Sequence, residues 1–203
     1  MSSFTAPLET LTLNDVNAQP LIPRIRALGL STRNLSRLKL VLRPYRYWLD
    51  QLHDAGPYIV VPYMFLSDGA SIPRFIWPFV GSPWSGDYVQ AAVLHDGLFR
   101  NQGWVVHYAT HLSSKYPVEK LIHWEGKYIV KYPMNSCNMI LRDAARVLGT
   151  PEWKCQAIYL GLRLGGFYSW YKWGQYWKNK KAHPLYVVNA NPKLALQAYS
   201  TLK

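Results

Sequence analysis

The stretch Val61–Asn101, VPYMFLSDGASIPRFIWPFVGSPWSGDYVQAAVLHDGLFRN, changes character twice and divides the chain. It opens as the tail of the β-branched and aromatic run YIVVPYMF, which reads as a strand. Gly69, Pro73, Pro78, Gly81, Pro83 and Gly86 then recur too often for regular structure, so a long ordered loop is predicted. Beyond it Val89, Ala92, Val93 and Phe99 fall at helical spacing, with Asp87 where an N-cap belongs. Strands therefore come before helices along this chain. Within that helix His95 and Asp96 lie about 100° apart around the axis, so they flank one cleft without pointing at the same atom.

Toward the N-terminus, LKLVLRPYRYWL from Leu38 reads as a strand interrupted at Pro44. Asp54-Ala55-Gly56-Pro57 is a turn signal that joins it to YIVVPYMF as an antiparallel pair. Pro62 cannot donate to a ladder, which puts the second strand at a sheet edge. Residues 1–36, with LETLTL, Pro20 and Pro23, read as an extended arm carrying one strand. Toward the C-terminus, residues 102–136 read as an insert in which WVVHYATHL and KLIHWEGKYIVKY form short strands around a Glu125-Gly126 turn. A helix is predicted from Asn138 to a stop at Gly149, and another from Glu152 to Gly166 after Pro151. The fold class is α+β: a small antiparallel sheet from the N-terminal half packed by about three helices from the C-terminal half. One domain spans 37–170, and 171–203 form a basic aromatic extension.

With 203 residues, 49% of them apolar and 15% aromatic, the chain is long and greasy enough to bury a core, which excludes the disordered class. No apolar run approaches the roughly 18 residues of a spanning helix, and MSSFTAPLET shows neither a basic leader nor an apolar stretch. Cys137 and Cys155 stand outside any CxxC or Cys/His spacing, pointing to a reducing cytoplasm without a zinc site. A formal charge of +12 favours contact with something anionic. Only 11 residues are acidic, so Asp68, Asp87 and Asp96 gathered near His95 stand out as a candidate site.

Five motifs, VPYMFLSDGASIPR, PWSGDY, AAVLHDGLF, a helix ending in VLG and a last helix ending in LRLGGFYSW, together resemble a family of phage and prophage proteins. That family is known as domain of unknown function thirteen-fifty-three, and the resemblance covers about Leu38 to Trp170. It implies an origin in a tailed phage or prophage and no known activity; synthesis in the host cytoplasm is expected, with a place in the virion as one of two outcomes.

His95, Asp96, Phe99, Arg100 and Asn101 also resemble the HDxxYRN helix of bacterial phospholipases A2, with Phe in place of Tyr. This second resemblance implies His95 as general base. The later helix of that family, which supplies an orienting Asp, an apolar residue and a second acid, aligns with Asn138, Leu141 and Asp143. It further implies calcium held by Asp68 and Asp96, with carbonyls from the DGAS turn, polarising an ester of lipid or cell-envelope material. Asn138 departs from the pattern: an amide accepts the imidazole N–H but brings no charge to steady an imidazolium. The plainer readings are a packed helix histidine at His95, an Asx-turn at Asp68 and a helix cap at Asp87.

Trp170, Trp173 and Trp177 share one side of a helix, with Lys178, Lys180 and Lys181 just beyond. Three roles fit that pattern: packing against the chain's own sheet, an anchor on an anionic membrane surface, or docking onto other virion proteins. Nucleic-acid binding by aromatic stacking stays open, with no motif behind it. Two functions follow, a phage hydrolase centred on His95 and a non-catalytic virion component.

Overall fold

The computed structural model describes residues 3–27, 32–33, 35–50, 56–69, 78, 81, 84, 86–107, 111–124 and 126–180. The architecture is α+β, with small antiparallel sheets and three main helices. Pro44 separates β3 (Lys39–Val41) from β4 (Tyr45–Trp48), and β5 (Tyr58–Val61) ends where Pro62 removes a donor. β4 and β5 pair antiparallel from Tyr45↔Val61 to Trp48↔Tyr58, and β5 lies at the sheet edge, as the prolines imply.

The N-terminal stretch is more than an extended arm. β1 (Ser3–Phe4) adds to β4, while β2 (Thr10–Thr12) adds to β3, whose other edge holds β6 (Leu66–Ser67). Short helices α1 (Asp15–Ala18) and α2 (Ile22–Ala27) follow. Leu13, Ala18 and Ile25 are fully buried with Leu35, Leu38, Leu40 and Leu66, a satellite core that ties this segment to the body.

The insert is a third antiparallel sheet, β7 (Trp104–His107), β9 (Lys127–Lys131) and β8 (Lys120–Trp124) in that spatial order. The turn falls at Gly126 as predicted, with Glu125 itself outside the described residues. Gly103 comes just before β7 at φ +76, and a Cβ there would sit 1.9 Å from the Tyr132 carbonyl oxygen. Only glycine fits such a contact.

α3 (Val89–Arg100) is the axis of the molecule. Ten of its 12 residues are buried, and it packs on α4, α5, β5 and β6. Asp87 is not its N-cap: the cap is Tyr88, in αR geometry and without a side-chain hydrogen bond, and exposed Asp87 lies in the turn before it. α4 (Met134–Val147) begins four residues before Asn138, straight after extended Pro133, and Gly149 follows its end. α5 (Glu152–Lys180) does not stop at Gly166 but runs 29 residues, through the boundary expected at 170. Gly165 and Gly166 fail to break it because Gly166 is a contact point, where an added Cβ would stand 3.4 Å from the Phe99 ring. Close approach lets Trp170 and Trp177 pack inward beyond it. Residues 181–203, the rest of the expected extension, lie outside the described residues.

Candidate functional site: a buried histidine pair and an arginine clamp

α3 and α4 cross so that His95 Nε2 and Asn138 Oδ1 lie 2.9 Å apart. An amide oxygen only accepts, so Nε2 carries the proton and donates. The ring is 3% exposed and stacks at a tilt on Phe99, with centroids 4.1 Å apart. Burial pushes His95 down to about 4, against the hydrogen bond to Asn138 that raises it. The imidazole is therefore neutral at pH 7. Asn138 is fully buried, and its Nδ2 has no hydrogen-bond partner among the described residues.

One turn further along α3, Arg100 gathers the acids. Its Nε donates to Asp96 Oδ1 at 2.8 Å, and its Nη2 lies 2.7 Å from Asp96 Oδ2 as an ion pair. Nη2 also donates to Asp68 Oδ1 at 2.8 Å, and Nη1 to the carbonyl of Leu66 in β6. The guanidinium carbon lies over the rings of Phe65 and Trp173, 5.3 and 5.4 Å from their centroids. Trp177 donates its indole N–H to the backbone carbonyl of Arg100. The Trp face read from the sequence thus turns inward as the roof of this clamp.

Burial disfavours the charge on Arg100, but Asp96 and Asp68 outweigh it and keep the group protonated. Burial pushes Asp96 up to about 7 despite the neighbouring Arg100, and the charge of Asp68 adds to that rise. One guanidinium is thus shared by the half-exposed carboxyl of Asp68 and the sealed one of Asp96. The pair expected to grip calcium already surrounds a cation. A dication placed there would meet the guanidinium, so the donor set as arranged does not fit calcium. Among the described residues no group of three or more His, Cys, Asp or Glu is placed to hold a metal ion. Ala70 and Ser71 of the DGAS turn lie outside the described residues.

Asp143 belongs to a different place. Five residues past Asn138, it is turned about 140° around α4. Its partners are Tyr116 Oη at 3.1 Å, Lys115 Nζ at 2.8 Å, Arg142 Nε at 3.1 Å and Arg146 Nη1 at 3.0 Å. Burial works against its charge, yet Lys115 and Arg142 hold Asp143 below the usual carboxylate value. It lines an open cleft of about 800 Å³ whose rim carries the His111–Asp50 pair, 3.1 Å apart. Sequence reading left that pair unmarked, since 61 residues separate its members.

His107 is a packing residue. Its Nδ1 donates to the Tyr58 carbonyl and its Nε2 accepts from Tyr132 Oη, each at 3.0 Å. Arg100 is the residue whose weight the sequence understates. Its spacing of four from Asp96 is a helix ion-pair signal, but the reach to Asp68 appears only in the fold. Cys137 and Cys155 are both free and buried. No described helix is long and apolar enough to cross a membrane.

Comparison with known proteins gives short matches. "Uncharacterized protein y4iH" of Sinorhizobium fredii (strain NBRC 101917 / NGR234) is 63% identical over 30 residues, 15% of this chain and 13% of that protein. "Uncharacterized protein y4jT" of the same organism is 28% identical over 92 residues, 45% of this chain and 19% of that protein. The matched region is thus less than a fifth of either relative's length. No solved structure matches. The model of the family described as "Protein of unknown function (DUF1353)" matches residues 41–162, which hold strands β4 to β9, the α3 clamp, α4 and the start of α5, and the chain belongs to that family.

Proposed function

We propose that this chain is a phage or prophage protein that works by binding and assembly, with other virion proteins as its partners. On this reading the His95 and Arg100 networks hold the fold together and catalyse nothing. The observation that carries it is Arg100 seated between Asp68 and Asp96, where a catalytic cation would have to stand. The motif resemblance to phage proteins and the net charge of +12 support a surface made for contacts. Mass spectrometry of particles from an induced lysogen should find the chain at stoichiometric level. A lipid-ester assay, with and without calcium, should give the same background for wild type and His95→Ala.

A second reading is an ester hydrolase centred on His95 that acts on lipid or cell-envelope material. It is favoured by the 2.9 Å bond to Asn138, which fixes the tautomer of the ring as a general base requires. Ester release that vanishes in His95→Ala, with the variant still folded, would establish this reading and remove the first.

A further inference from the structure

α5 is apolar on both sides, and among the described residues only one side is covered. Its inner face sends Ile158, Leu162 and Trp177 into the core. On the outer face Trp153, Leu160, Leu164, Phe167, Tyr168 and Tyr171 are 61%, 54%, 82%, 66%, 75% and 56% exposed. At about 100° per residue these six fall within one arc of about 100°, and at 1.5 Å per residue they run about 27 Å along the helix. Four of them are aromatic, with roughly 150–250 Å² of surface apiece, so the exposed stripe exceeds what a monomer ordinarily leaves open.

The edges of the stripe say what covers it. Arg163 borders one side, Lys154 and Lys172 the other, and Lys178 stands at its end, while Glu152 is the last acid before the helix finishes. A second copy laid antiparallel on the stripe would set Arg163 against Arg163 on one edge and Lys154 against Lys172 on the other. An anionic surface would meet charge complement on both edges at once. The stripe is also the convex ridge of a single helix containing no proline, a shape that suits a plane better than a pocket.

We infer that α5 lies flat on an anionic lipid surface, with its Leu and aromatic ridge at the headgroup boundary and Arg163, Lys172 and Lys178 among the headgroups. Trp177 and Leu162 keep the inner face docked meanwhile, so the helix stays with the body. This contact uses none of the His95 or Arg100 atoms and stands apart from the assembly role.

The test is flotation of the full-length protein with phosphatidylcholine vesicles, with and without phosphatidylglycerol, at low and high salt. Retention is expected on phosphatidylglycerol, about tenfold weaker without it, and falling as salt rises. Leu164→Glu with Phe167→Glu should lower retention at least about tenfold, as should Arg163→Glu with Lys172→Glu. Val16→Glu, at another exposed apolar position, should leave it unchanged. Circular dichroism and thermal melting of each variant separate lost binding from lost fold. Failure of wild type to float, equal retention without phosphatidylglycerol, or full retention by both pairs of substitutions would each overturn the inference. So would a dimer in light scattering that Leu164→Glu with Phe167→Glu dissociates, because a second copy would then cover the ridge.

Discussion

Arg100 and Asp68 meet at 2.8 Å across 32 residues of sequence, and that contact fastens the axis helix to the end of β6. Arg100 is 2% exposed and Asp96 6%, so removing the guanidinium strands a sealed acid. Arg100→Met is expected to cost about 3–5 kcal/mol in urea unfolding, as for other broken buried pairs. The double variant Arg100→Met with Asp96→Asn should recover part of that loss, because no uncompensated carboxylate remains. Equal losses in single and double variants would mean that Asp96 takes nothing from Arg100.

Asn138→Asp tests the histidine pair directly. His95 is held down to about 4 by burial, with only a neutral partner at Nε2. A carboxylate at 138 favours the imidazolium, so the His95 pKa should rise by at least about one unit. A proton NMR titration of the ring reads that change. An unmoved pKa would show that the 2.9 Å contact does not govern the proton.

Acid stability follows from the two sealed rings. His95 and His107 both sit near 4 in the fold because of burial, against about 6.5 in the unfolded chain. Their neutral forms favour the fold above pH 6.5, and that contribution is lost as pH falls from about 6.5 to 4, on the order of 3 kcal/mol each. Asp96 runs the other way: its raised pKa, about 7, makes stability fall as pH rises from about 4 to 7. Two groups against one leave a net loss on acidification. In His107→Gln the slope of unfolding free energy against pH between about 4 and 6.5 should be shallower by about one proton.

Gly103→Ala and Gly126→Ala form a matched pair. Both glycines have positive φ, +76 and +71, yet a Cβ at 103 meets the Tyr132 carbonyl oxygen at 1.9 Å and one at 126 meets nothing within 4 Å. Backbone strain alone predicts about 1–2 kcal/mol at 126, and the clash should make 103 clearly the worse site, by at least about 2 kcal/mol more. Thermal melts of the two variants suffice, and similar values would refute the close approach.

The strand boundaries were readable because proline acts locally: Pro44 and Pro62 stop a ladder whatever the rest of the chain does. Gly126 marks its turn for the same reason, and both expected α+β layers follow. The α5 boundary was not readable, because Gly165 and Gly166 look like a helix stop until the Phe99 ring is known to need the space. The start of α4 was missed because residues 134–137 show no apolar periodicity by themselves, although Pro133 is a fair N-terminal signal. His95 and Asn138 were paired only through a resemblance between helices. The link from Arg100 to Asp68 had no local cue, since it depends on how β6 lies against α3.

The roof over Arg100 has a practical meaning for anyone cutting this chain. The family match ends at residue 162, whereas Trp173 and Trp177, which stack on the guanidinium and bind its carbonyl, come later. A fragment trimmed to the family-matched block would open to water the most deeply buried cation among the described residues. The last turns of α5 therefore belong to the smallest piece of this molecule that can keep its interior dry.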